Sequence, residues 1–204
     1  MYWVMVPRGT PVRAVGSLAV VLVLALSSAA AESPFRTGAL EPPGPAPDFT
    51  LRTDQGKPVH IHDWRGSVVL LYFGYTSCPD VCPTTLAEFA EVKHQLGPAA
   101  ERLRVLFVTV DPERDTPKRL RIYTRTFDPT FLGLTGPRAT LAKVWKAYGI
   151  YVQSHRVPGS SEGYVVDHSA TTFVIDAGGD LRLAIPFGTP VDDIRHDLQL
   201  LLAR

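Results

Sequence analysis

Cysteine is scarce in this chain. Only Cys78 and Cys82 are present among 204 residues. A bridge between them would close too short a loop to remove much chain entropy, so it would contribute little as a structural staple. Neither sign of charge is in excess: 21 basic residues face 20 acidic ones, for a formal net charge of +1. Nucleic acid is therefore not an expected partner. Internal repeats are missing, and at this length one compact domain plus a leader is the natural organisation. A hydrophobic content of 45% with 20% charged residues fits a soluble globular fold rather than a disordered or membrane-embedded one.

Acidic residues are missing from residues 1–31. Arg8 and Arg13 precede an apolar run from Ala14 to about Leu26, and small residues follow, with Ala29-Ala30-Ala31 fitting a cleavage pattern. Residues 1–31 are expected to be a secretory signal or a membrane anchor. Extended to Ala31, the run is about 18 residues, the short edge of what spans a bilayer. No cysteine lies near the junction, which argues against a lipoprotein anchor. Export would place the protein in the periplasm or on the periplasmic face of the inner membrane, an oxidising compartment where a cysteine pair is by default a disulfide. Residues 32–47, ESPFRTGALEPPGPAP, read as a proline-rich linker, and 48–204 as the folded domain.

DFTLRTDQGKPVHI alternates around Asp54-Gln55-Gly56 and predicts a hairpin that extends the domain at its N-terminus. His60 and His62 would share one face of its second strand. Two histidines so spaced can bind metal, but without a third ligand they read as a polar, solvated face. SVVLLYFGY, 67–75, is a continuous apolar run suited to a central strand covered on both faces. TTLAEFAEVKHQL has helical spacing, with Pro83 in its first turn. LRVLFVTVD, 103–111, predicts a second buried strand, and Asp115-Thr116-Pro117 the start of a helix with Asp115 as its cap. A helix from Pro137 should stop at Gly149, and 150–164 reads as an exposed excursion. TTFVID and LRLAIPF flank a hairpin turn at 177–180, and VDDIRHDLQLLLA closes the chain as an amphipathic helix on which His196 is a surface residue. This order gives an α/β fold, a mixed sheet flanked by helices. A cysteine pair between the first central strand and a helix is the thioredoxin-like arrangement.

The chemistry centres on GYTSCPDVCPTT, 74–85. The sulfurs sit where a helix begins, and its free N–H groups and dipole favour thiolate over thiol. Four positions apart on a helical turn, both can reach one ion, or each other. Soft sulfur selects Cu(I) or zinc, and imidazole is a suitable third donor. Of the six histidines, His168 is the candidate, because the loop entering the first strand of the terminal hairpin packs beside the cysteine motif in this fold. The segment DHSATTF lacks the proline that thioredoxins usually place there. Asp167 is a candidate to orient His168, Asp111 to act as an outer partner or docking residue, and Phe73 and Tyr75 to pack around the site.

GYTSCPDVCPTTL, VTVDPERDTP and VVDHSATTFVID together resemble the Sco/SenC family of copper-binding, thioredoxin-like proteins, over essentially all of 45–204. The resemblance implies a chaperone that binds one copper ion, Cu(I) or Cu(II), through Cys78, Cys82 and His168. It also implies a membrane-associated partner, the copper-receiving subunit of a terminal oxidase, since the family helps metallate the dinuclear copper centre of cytochrome c oxidase. Copper donors or thiol reductants would be further partners. On this reading there is no turnover and no catalytic residue. The alternative is a thiol–disulfide oxidoreductase whose redox pair is Cys78 and Cys82, acting on the cysteines of a copper-receiving protein. A peroxidase of the same fold ranks last, because metal better explains a second cysteine and a placed histidine.

Overall fold

A computed structural model describes residues 1, 3, 33–158 and 163–203. The reading of 1–31 as a leader falls outside the described residues but for positions 1 and 3, and among the described residues no helix is long and apolar enough to cross a membrane. The unit Ser33–Arg204 is built on one eight-stranded sheet.

At its centre lies β4 (Val68–Gly74), buried at every residue. It pairs in parallel with β5 (Leu103–Thr109), which pairs in parallel with β6 (Leu132–Thr135). On its other side β4 runs antiparallel to β9 (Thr172–Ile175), followed by β10 (Asp180–Ile185). An unbroken apolar run is what a strand covered on both faces requires. Alternation along β4 sends Tyr72 and Phe73 to opposite faces. Tyr72 packs on Phe89 of α1 (Val81–Leu96), while Phe73 packs on Tyr148, at the end of α3 (Arg138–Ala147). Beside α1 lie α2 (Pro117–Phe127) and α4 (Val191–Leu202).

The apolar residues of α1 recur at helical spacing, and Cys82, Leu86, Phe89, Val92 and Leu96 are all buried. Thus the second cysteine belongs to the core stripe of its helix. The expected hairpin is present as β2 (Thr50–Thr53) and β3 (Pro58–His60), turning at Gly56 with φ +78°, and joins the sheet through β6. His62 is not on that strand; a 3-10 turn, Ile61–Trp64, carries it.

Two segments differ from expectation. Within the stretch read as a linker, β1 (Ala39–Pro45) pairs antiparallel with β10 at the sheet edge, and Phe35 is buried. Prolines are tolerated there because an edge strand leaves one row of N–H positions unpaired. The N–H groups of Arg36 and Thr37 donate to the buried carboxylate of Asp197 on α4, at 2.9 Å each, which fastens this segment to the domain. The excursion after Gly149 is exposed as expected but regular: β7 (Val152–Arg156) and β8 (Tyr164–His168) form a separate antiparallel pair.

Candidate metal centre

The register explains how distant residues meet. Tyr72 near the end of β4 pairs with Thr172 at the start of β9. His168, the last residue of β8, therefore arrives just beyond the end of β4, where the cysteine loop begins. Cys78, Cys82 and His168 each offer one donor atom within 4.8 Å of the other two. His168 Nε2 lies 3.4 Å from Cys82 Sγ, and the N–H of Cys82 donates to Cys78 Sγ at 3.4 Å. The three residues singled out by sequence are thus brought together. Neither cysteine is in a disulfide.

The two thiols differ. Cys78 is half-buried, ahead of the first turn of α1, whereas Cys82 is fully buried within it. The Cys82 thiol bonds to Cys78 and pulls its pKa down against the effect of burial; His168 and the N–H groups of Asp80 and Cys82 pull the same way. Cys82 moves oppositely: its bond to Cys78, its burial and the neighbouring negative charge all push its pKa up. The pair therefore shares one proton, held on Cys82. Ionisation at the helix mouth, expected for one or both thiols, is favoured at Cys78 and opposed at Cys82.

His168 is presented as a donor. Its Nδ1 lies 3.0 Å from the carbonyl oxygen of Ser169, which can only accept, so Nδ1 carries a hydrogen and the ring is held with Nε2 facing the sulfurs. Asp167, expected to orient the ring, does not touch it. Strand alternation points Asp167 away, and its carboxylate meets His155 of β7 at 2.8 Å. Tyr72 and Tyr75 meet the imidazole edge-on, at 6.4 and 5.8 Å between centroids, and the Tyr72 hydroxyl donates to Cys82 Sγ at 3.7 Å. Phe73 packs on the other face of the sheet, against Tyr148 and Phe173, and is no part of the site.

The loop is held from β5 and α2. Asp115 is not the helix cap; Thr116 is, accepting the N–H of Arg119 at 3.2 Å. The buried Asp115 carboxylate instead reaches back to accept from the Thr76 hydroxyl at 2.6 Å, the Thr76 N–H at 3.2 Å and the Thr109 hydroxyl at 2.7 Å. Arg119 donates to Ser77 Oγ at 2.8 Å. Asp111 is buried rather than available for docking: it pairs with Arg114 at 2.5 Å and accepts from the Tyr164 hydroxyl at 2.6 Å. Arg114 in turn stacks on Tyr164, 3.7 Å from the ring centroid, so the network grips the strand that carries His168.

Gly74 and Tyr72 also belong to the site, although the spacing of its ligands does not mark them. A Cβ on Gly74 would lie 2.8 Å from Cys82 Sγ and 2.9 Å from the Phe107 ring, so the helix approaches this closely only over a glycine. The lone glycine in an otherwise apolar run was the available signal.

A thioredoxin-like domain with two thiols and one imidazole converging beyond its central strand is a protein built around a sulfur-rich site for a soft metal ion or a dithiol couple. Residues 39–203 match the family model described as SCO1/SenC, and the chain belongs to that family. The solution structure of apo Sco1 from Thermus thermophilus is similar at TM-score 0.73 and 42% identity, over 82% of this chain and 96% of that one. The Bradyrhizobium japonicum ScoI structure with copper bound is similar at TM-score 0.69 and 35% identity, over 78% and 99%. A SCO2-like protein of Rickettsia felis is 36% identical over 132 residues, 65% of this chain and 64% of its own length. The chain spans about half to just under two thirds of the length of curated relatives that it matches.

Proposed function

We propose that this protein is a copper chaperone. It binds one copper ion through Cys78, Cys82 and His168 and passes it to the dinuclear copper centre of a cytochrome c oxidase. The observation that carries the reading is the 3.4 Å approach of His168 Nε2 to Cys82 Sγ, with the ring nitrogen aimed by Ser169. Two thiolates and one neutral imidazole fit Cu(I) by donor type, and the half-exposed Cys78 leaves a side on which a receiving protein's ligand can enter. Loading removes the proton that the pair shares. Oxidation of the pair to a disulfide removes both thiolates, so redox state governs binding. The copper-bound relatives support this reading, as does family membership. Residues 1–31 act as a secretory signal or anchor in it, placing the domain at the periplasmic face of the inner membrane, next to a membrane-bound recipient.

The test is transfer. The full chain carrying one Cu(I) is mixed with the metal-free, reduced copper domain of an oxidase subunit, and copper in each protein is measured after separation. Copper appearing in the acceptor faster than from a small-molecule Cu(I) complex supports the proposal. Equal rates from the two sources contradict it.

A second reading rests on the asymmetry of the thiols. An ionised, half-exposed Cys78 can attack a partner's disulfide. Cys82 would then give up its proton and attack the mixed disulfide, releasing the partner as a dithiol and leaving this pair oxidised. The exchange rate with an oxidised acceptor domain separates this role from metal transfer.

A further inference from the structure

The sequence leaves His60 and His62 without a third ligand; the fold supplies one. Asp48, 14 residues before His62, lies just ahead of β2, and its Oδ2 is 2.6 Å from His62 Nδ1. Its other oxygen accepts the N–H groups of Phe49 and Ile61, both at 3.0 Å, so backbone bonds fix the carboxylate and leave Oδ2 facing the imidazole. His60, at the end of β3, lies nearly parallel to His62, with centroids 4.8 Å apart and an interplanar angle of 18°. The two rings are thus stacked. His60 Nδ1 is 3.0 Å from Thr50 Oγ1, which fixes the ring. One donor atom from each of Asp48, His60 and His62 lies within 4.8 Å of the other two.

Charge favours a cation there. Asp63 Oδ2 accepts the N–H of His60 at 2.7 Å, and its Oδ1 lies 3.7 Å from His62 Nε2. Two carboxylates thus bracket one imidazole, with Arg65 in the adjoining cavity as the opposing charge. Ile175, which pairs with Val69 at the start of β4, also lines this cavity, whereas the cysteine loop follows Gly74 at that strand's far end. The cluster is therefore separate from the thiol centre.

We propose that Asp48, His60 and His62 form a second metal site, for a divalent first-row cation of the zinc and copper(II) class, with Asp63 and water available to complete the shell. Two imidazoles and a carboxylate suit Zn²⁺ and Cu²⁺, and with no thiolate the set does not favour Cu(I). Tetrahedral ligation with bonds of about 2.0–2.1 Å needs donors roughly 3.3 Å apart, so the rings close by a small rotation. Side chains about half exposed, 49% for Asp48 and 50% for His62, leave the His62 ring room to turn about the anchored carboxylate. The same exposure gives the ion a path from solvent.

The test uses the full chain as Cys78→Ser/Cys82→Ser, which removes the thiol site, and Zn²⁺ in a calorimetric titration. One Zn²⁺ per chain is expected. Affinity should fall at least tenfold in His60→Gln/His62→Gln, and in Asp48→Asn, and stay unchanged in the control His94→Gln/His155→Gln. With Cu²⁺, electron paramagnetic resonance should show coupling to two imidazole nitrogens that disappears in His60→Gln/His62→Gln. Circular dichroism confirms folding, and wild-type chain oxidised to the disulfide serves as a second background should the serine variant fail to fold. No Zn²⁺ binding below about 1 mM (a free energy of about −4 kcal/mol), or binding undiminished by loss of both histidines, overturns the proposal.

Discussion

Cys82 Sγ and His168 Nε2 lie 3.4 Å apart although 86 positions separate them in the chain. The contact exists because β9 pairs with β4 in a register that returns the chain to the mouth of α1. A metal site made this way depends on strand pairing as much as on its ligands.

His168→Ala should lower Cu(I) affinity by about 100-fold or more, since loss of an outer partner alone costs 10–100-fold. The fold should survive, because the ring is only partly buried. A competition titration against a Cu(I) chelator, with circular dichroism alongside, checks both. Unchanged affinity would mean that the two sulfurs hold the ion without the imidazole.

Cys78 should be the reactive thiol. Its bond from Cys82, aided by His168 and the N–H groups of Asp80 and Cys82, outweighs burial and brings its pKa down to about 4. At pH 6 a limiting amount of iodoacetamide should label Cys78 and spare Cys82 in the reduced, metal-free chain. Peptide mass spectrometry reads the ratio; equal labelling would refute the asymmetry.

Gly74→Ala should destabilise the domain by about 1–3 kcal/mol, the usual cost of forcing a group into a packed core. The added carbon meets Cys82 Sγ at 2.8 Å, so copper affinity should fall as well. Gly44→Ala, with nothing within 4 Å of the new Cβ, is the control and should leave both urea midpoint and affinity unchanged.

Asp197 ties the segment before β1 to α4. Burial alone would raise its pKa, but bonds from the N–H of Arg36, from His196 and from Thr37 hold it below the ordinary carboxylate value. A carboxyl depressed in the folded state adds stability that is complete above its unfolded pKa of about 3.9 and disappears as pH falls through the folded value. Asp197→Asn should therefore be less stable than wild type at pH 7. The difference should shrink progressively below about pH 4. Denaturant titrations across that range measure it; a gap that widens toward acid would contradict the assignment.

The ligands were legible in the sequence because spacing and chain order carry them: C-x-x-x-C at a helix mouth, and a histidine before the terminal hairpin. Their supports were less so. Two cap-type residues, Asp115 and Thr116, stand side by side, and only Pro117 as the first helical residue assigns the cap to Thr116 and frees Asp115 for the cysteine loop. Likewise Asp167 adjoins His168, but adjacency on a strand sends the two side chains to opposite faces, and recognising that requires knowing that 164–168 is a strand. β7 is mostly polar and β8 runs Tyr-Val-Val-Asp-His, so neither shows the apolar alternation of a strand on a core and that fact stays hidden. The proline-rich β1 was masked by composition. Its pairing is decided by the open edge of β10, a property of the folded sheet rather than of the segment. Asp48 is hidden in the sequence for the same reason, because its proximity to His62 is created by the β2–β3 hairpin.

The most direct measurement is X-ray absorption at the copper edge on the full chain loaded with Cu(I) under reducing conditions, with metal content determined in parallel. One copper per chain bound by two sulfurs and one nitrogen, the nitrogen being lost in His168→Ala, is the predicted result. A sulfur-only shell, or a nitrogen that persists without His168, would contradict the three-donor site.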